Sequence, residues 1–148
     1  MPIITHTANI KCTQRALYEY ISSPWLWHEW HPNSRGAMAS TQPLGIGDSF
    51  VEQFVLRPLP ILPLTIRREF HYRVTSAEPH AFWEIAGTGK GVELRFRYHF
   101  DPTDNGVRFT RCLEYEISGP VSLIAPLVHH SNRLNSERAM SGLARRFD

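Results

Sequence analysis

The chain has 148 residues, is 42% hydrophobic and carries a formal charge of +2, which suits one domain with one real core. That charge is too small for a nucleic-acid groove, and no apolar stretch approaches the length of a membrane span. Cys12 and Cys112 stand alone without a CxxC pair, which fits a reducing compartment. The start MPIITHTANI lacks the charged and apolar regions of a signal peptide, so a cytoplasmic location is expected.

In chain order, Ile3 to Ile10 alternates as a strand, with Ile4, His6, Ala8 and Ile10 sharing one face. Thr13 reads as an N-cap, followed by Ala16, Leu17, Tyr20 and Ile21 at helical spacing. Ser23-Pro24 starts a second, short helix that runs through Trp30 and stops before Pro32. From Ala37 the character turns to β, with Gly45 to Asp48 as a turn and Ser49 to Leu56 as a strand. The proline-punctuated RPLPILP leads into a long alternating strand from Leu64 to Thr75. Ala81 to Ala86 is a further strand, GTGKG a turn, and Gly91 to Phe100 pairs with Val107 to Ser118 around DPTDNG. The remainder, from Pro120 or Pro126 to Phe147, reads as one long helix.

Consecutive, closely connected strands make an antiparallel sheet, and the last helix is long enough to cover one of its faces. The expected fold is α+β, a curved sheet of six to seven strands wrapped around a C-terminal helix, with two short helices after the first strand.

This order resembles the START/Bet v 1-like (SRPBCC) superfamily, and within it the polyketide cyclase/dehydrase and lipid-transport type. The resemblance rests on SSPWLWHEWHPNS after the first helix, PLGIGDSF leading into the sheet, and the terminal helix. It covers nearly the whole chain as one domain and implies a helix-grip fold with a cavity between sheet and helix. Its motifs are short and structural, so it implies no single reaction and no catalytic residues.

The densest feature is WHEWH, which crowds Trp27, His28, Trp30 and His31 together. Its histidines stand at i, i+3, whereas metal-binding HExxH places them at i, i+4 on one helical face. With Pro32 ending the helix and no third ligand nearby, Trp27 and Trp30 read as an apolar wedge. Trp25, His28 or His31 is left to reach the cavity mouth. No metal and no cofactor are expected.

The apolar register of each strand gives the cavity lining. It takes in Phe96, Tyr98, Phe109, Tyr115 and Tyr72, with Glu52, Arg68 and Arg111 as inward polar exceptions. Glu84 is ambiguous, because its neighbours on both parities are apolar. If the RPLPILP hairpin closes near residue 60, Glu52 lies opposite Arg68, while Arg111 faces Phe96. Arg111 then either joins Glu52 or Glu84 in a structural network or anchors a ligand carboxylate or phosphate. On the terminal helix Ser131, Asn132, Asn135, Ala139 and Gly142 share one side, which either faces the cavity or faces water. No Ser-His-Asp arrangement follows from sequence order alone.

These readings favour a module that binds a small hydrophobic molecule, lipid-like or aromatic, with or without an acidic group. The residues expected to line its site are Arg111, Tyr72, Tyr98, Tyr115, Arg68, Glu52, Phe96, Phe109, Asn135 and Trp30. An enzyme of the cyclase/dehydratase kind, using Glu52, Glu84 and Tyr98 as acid–base groups, is the alternative. A protein-interaction domain using the RPLPILPL loop is the third. Neither nucleic acid nor stable membrane insertion is expected.

Overall fold

The computed structural model describes residues 2–56 and 65–147. These form strand β1 (Ile3–Ile10), helix α1 (Gln14–Ile21), a 3₁₀ helix over Pro24–Glu29 and strands β2 (Ser34–Ala39) and β3 (Ser49–Leu56). There follow β4 (Ile66–Glu78), β5 (Phe82–Gly89), β6 (Val92–Thr103), β7 (Gly106–Ile117), a second 3₁₀ helix (Gly119–Ile124) and the long helix α2 (Ala125–Arg146). The sheet order is β1-β7-β6-β5-β4-β3-β2, antiparallel throughout. The expected α+β helix-grip architecture is the one found. The RPLPILP loop lies outside the described residues.

Local chemistry sets most boundaries. Thr13 caps α1, its hydroxyl accepting from the Ala16 amide at 3.1 Å. Pro24 opens the 3₁₀ helix and Pro126 lies in the first turn of α2, positions where a missing N–H costs nothing. Two expectations fell short: β5 continues through Gly87 to Gly89, and β4 through Glu78. Gly87 leaves room for the Tyr72 ring, which would collide with a Cβ at that position. Aromatic rings leaning over strand glycines thus replace the side chains that those positions lack.

Trp27 anchors the layer between the short helices and the sheet. Only 3% exposed, it meets Phe50, Tyr72, Trp83 and Trp30 edge-on, and its indole N–H donates to the Ile21 carbonyl at 2.8 Å. Trp27 and Trp30 are both buried, and Trp27 packs against the inner face of the sheet as the wedge reading expects. His28 is exposed, and among the described residues no three metal-ligating side chains converge. Helix α2 approaches this layer closely at Gly142, where a Cβ would stand 2.6 Å from the Trp30 carbonyl oxygen.

The small and amide side of α2 faces inward. Ser131, Asn135, Ser136 and Ala139 are buried with Val128, Met140 and Leu143, while Leu127 and Leu134 look outward. A leucine-faced helix would close the space beneath it; this one leaves it open.

Candidate functional site

The inner face of β3, β4, β6 and β7, the first 3₁₀ helix with the turn after it, and α2 line a narrow cavity of about 80 Å³ that opens to solvent. Its half-exposed lining, Phe54, Ile66, Arg68, Val92, Leu94 and Ile117, marks the mouth, and its buried lining marks the interior. Of the residues expected at the site, Arg111, Tyr72, Tyr98, Tyr115, Arg68, Glu52, Phe96, Asn135 and Trp30 all line it. Phe109 does not. It is fully buried behind the cavity wall, stacked on Tyr98 and packed against Phe100.

Strand parity was read correctly, but two cross-strand partners were not. Glu52 pairs with Phe70 and Phe54 with Arg68, a β3–β4 register centred one residue later than the one expected. Arg111 pairs with Tyr98, and Phe96 with Leu113, because β6 and β7 meet at a tight two-residue turn with Thr103 opposite Gly106. Each slip moves the partner by two positions and leaves every side chain on its face. The expected Glu52–Arg68 ion pair is therefore absent; the Arg68 guanidinium donates to the Arg67 carbonyl at the mouth. Glu84 lies on the outer face, bound to Arg97 at 2.9 Å and Thr75 at 2.7 Å, since Trp83 and Ile85 take the inward positions. That removes Glu84 both as a partner for Arg111 and as a cavity acid.

Arg111 is 4% exposed. Its guanidinium carbon sits 4.7 Å above the Phe96 ring, one arm donates to Ser136 Oγ at 2.8 Å, and its Nε has no partner. No carboxylate among the described residues comes within ion-pair distance of it. Phe96 offers a ring face, which attracts the cation without neutralising it.

Glu52 is 3% exposed and accepts a long hydrogen bond, 3.4 Å, from the Tyr72 hydroxyl. Burial pushes its pKa up to about 7, against weaker pulls downward from Ser34, Arg111 and Tyr72. Near neutral pH this carboxyl is thus poised between its two states. Tyr98 is held protonated, its pKa pushed up to about 12 mainly by burial, and Tyr72 is raised by burial and by Glu52.

His31 shares this interior, and sequence reasoning placed it no nearer than the mouth. It is buried, accepts the Asn33 amide on Nδ1 at 3.2 Å and packs edge-on to Phe54. Burial, reinforced by Arg111, lowers its pKa, so the ring is neutral and carries its proton on Nε2. On the α2 side, Tyr115 stacks on His129 and is hydrogen-bonded to its Nδ1.

The site therefore combines an aromatic interior with one cation that has no direct ion pair and one carboxyl whose pKa burial raises to about 7. Such a cavity is suited to hold a flat apolar body and fix one polar group on it.

The fold recurs in solved structures of low identity. Protein CV1439 from Chromobacterium violaceum matches at 13% identity with a TM-score of 0.74, over 99% of this chain and 98% of that one. The Zhui aromatase/cyclase from Streptomyces sp. R1128 matches at 9% identity with a TM-score of 0.76, over 98% of this chain and 92% of that one. A START superfamily protein from Mycobacterium smegmatis matches at 12% identity with a TM-score of 0.74, over 99% of both chains. Comparison with curated protein sequences finds no match. The model of the family described as polyketide cyclase / dehydrase and lipid transport matches residues 1–148, and the chain belongs to that family.

Proposed function

We propose that the protein binds a small apolar molecule, aromatic or lipid-like, that carries one acidic group, with Arg111 as the anchor for that group. The observation that carries this reading is a buried arginine whose Nε–H has no partner and which has no carboxylate at ion-pair distance. A desolvated cation in that state is costly, and a ligand anion offsets the cost while accepting the unused donor. Tyr72, Tyr98, Tyr115 and Phe96 supply the flat apolar walls, and Asn135 adds an amide from α2.

Matched carboxylic acids and their neutral amides, titrated by thermal shift, test the reading. The acids bind at least tenfold more tightly in the parent protein. Arg111→Leu abolishes that preference while retaining the affinity for neutral apolar ligands. Equal binding of acid and amide by the parent would make Arg111 purely structural.

A second reading is favoured by Glu52, a buried carboxyl without an arginine ion pair whose pKa of about 7 suits proton transfer. In it, Glu52 removes a proton from carbon α to a carbonyl of the bound molecule, with Tyr98 donating to the carbonyl oxygen. Deuterium uptake from heavy water into an aromatic β-keto ester, catalysed by the parent and lost in Glu52→Gln, is the expected sign. Uptake at the buffer rate leaves the protein a binding module.

A further inference from the structure

The polar chain that begins at Arg111 does not stop at the cavity wall. Ser136 on α2 lies between Arg111 on β7 and His6 on β1, with its Oγ 2.8 Å from the guanidinium and 2.9 Å from His6 Nδ1. A guanidinium has no acceptor, so Ser136 receives a hydrogen bond from Arg111, and its hydroxyl is free to donate to His6 Nδ1 in the tautomer that carries its proton on Nε2. His6 Nε2 stands 3.7 Å from Glu137 Oε1, within ion-pair reach once the ring is protonated. Ser136 is 2% exposed and lines the cavity, whereas the ring of His6 reaches the surface beside Glu137. Helical serines commonly bond back to their own helix; this hydroxyl is instead held by two other elements.

The arrangement meets the first geometric requirement for an activated hydroxyl, a base within hydrogen-bond reach, and sets a carboxylate 3.7 Å from that base. We propose that Ser136 is a nucleophile toward activated esters of apolar carboxylic acids, with His6 as its base, Glu137 stabilising the imidazolium that forms, and Arg111 stabilising the developing charge. Ser136 Oγ attacks the ester carbonyl carbon as its proton passes to His6 Nδ1, while the positive charge of the adjacent Arg111 guanidinium stabilises the oxyanion. The bond to the leaving oxygen breaks, and that oxygen takes the proton from His6. Water, deprotonated by His6, then attacks the acyl-serine. The products are the free carboxylic acid, an alcohol or phenol, and regenerated Ser136. The inference rests on the reading of the cavity as an apolar ligand site, and the acid it releases is the species that Arg111 is proposed to hold.

The test uses the full chain with p-nitrophenyl butyrate, octanoate and benzoate, reading nitrophenolate release and the mass of acid-quenched protein. The expected result is a burst, with an acyl adduct mapped to the peptide containing Ser136. Ser136→Ala lowers the rate at least a hundredfold, and His6→Ala at least tenfold. Ser136→Cys, which keeps a nucleophile in the same place, accumulates one acyl group per chain even if the alanine variant folds poorly. Release at the buffer rate, an adduct elsewhere, or an undiminished rate in Ser136→Ala would overturn the proposal. The free acids are titrated in parallel by thermal shift. Acid binding without acylation leaves the anchor reading standing and removes the nucleophile. Acylation of Ser136 without any preference for acids does the reverse.

Discussion

The two faces of the sheet treat the same residue types in opposite ways. On the outer face Arg97 sits between two carboxylates, 2.9 Å from Glu84 and 3.0 Å from Glu114, and all three side chains keep some contact with water. On the inner face Arg111 and Glu52 are both almost wholly buried, yet neither has an ion-pair partner. Pairing is easy where water already shares the load and is worth little there. Indoors, an unpaired charge is expensive, and that cost is the ground on which we propose a ligand group for Arg111. The outer arrangement closes on itself, and the inner one leaves Arg111 without a carboxylate at ion-pair distance.

The most damaging way to break this contrast is to let water reach the inner face. Trp27 seals it, touching Phe50, Tyr72, Trp83 and Trp30. Trp27→Ala leaves a large void between the short helices and the sheet and costs about 3–5 kcal/mol of folding stability. Urea unfolding checks this. A loss under about 1 kcal/mol would mean that the cavity is already wet to its floor.

Next in size is Glu52, where the sign of the pH effect separates the two faces. Its folded-state pKa is raised from 4.5 to about 7, so the folded protein holds the proton more tightly than the unfolded chain. Below pH 4.5 both states are protonated and the residue contributes nothing. As the pH climbs toward 7, stability falls, by about 3 kcal/mol in total, and then levels off. Glu52→Gln therefore stabilises the protein at pH 8 by about that amount and is near neutral at pH 4. Chemical denaturation at the two pH values reads the difference. An equal effect at both would mean that Glu52 is ionised indoors and compensated.

How much of this was legible in the sequence follows from periodicity. Alternation in β3, β4, β6 and β7 put Glu52, Arg68 and Arg111 on the correct face, because a side chain's face depends only on parity. Partner identity depends on register, and both strand pairs are offset by one residue from the expected centre, which sets Tyr98 rather than Phe96 opposite Arg111. Glu84 resisted because apolar residues flank it on both parities, and only burial of Trp83 and Ile85 decides the matter. His6 was already on the apolar parity of β1, but nothing local to it indicates Ser136, which lies 130 positions away in sequence. His31 was hidden for another reason: the 3₁₀ helix ends at Glu29, and the turn that follows swings the ring inward. Contacts made by helix packing and irregular turns leave no periodic trace.

The smallest expected effect lies on the outer face and supplies the control. Arg97 holds two carboxylates at good distances, and a count of ion pairs would rank it among the strongest interactions in the molecule. Its side chain is 30% exposed, those of Glu84 and Glu114 are 17% and 23% exposed, and Glu84 keeps its bond to Thr75 whether or not Arg97 is present. Water and salt replace most of what the guanidinium supplies, and immobilising a long side chain offsets part of the rest. Arg97→Ala is therefore expected to cost about 1 kcal/mol or less, and less still in 0.5 M salt. It leaves the acid preference of the cavity unchanged, because the sheet stands between Arg97 and Arg111. A loss of several kcal/mol, insensitive to salt, would show that the outer cluster is a buried network and that the contrast between the faces is one of ligand access alone.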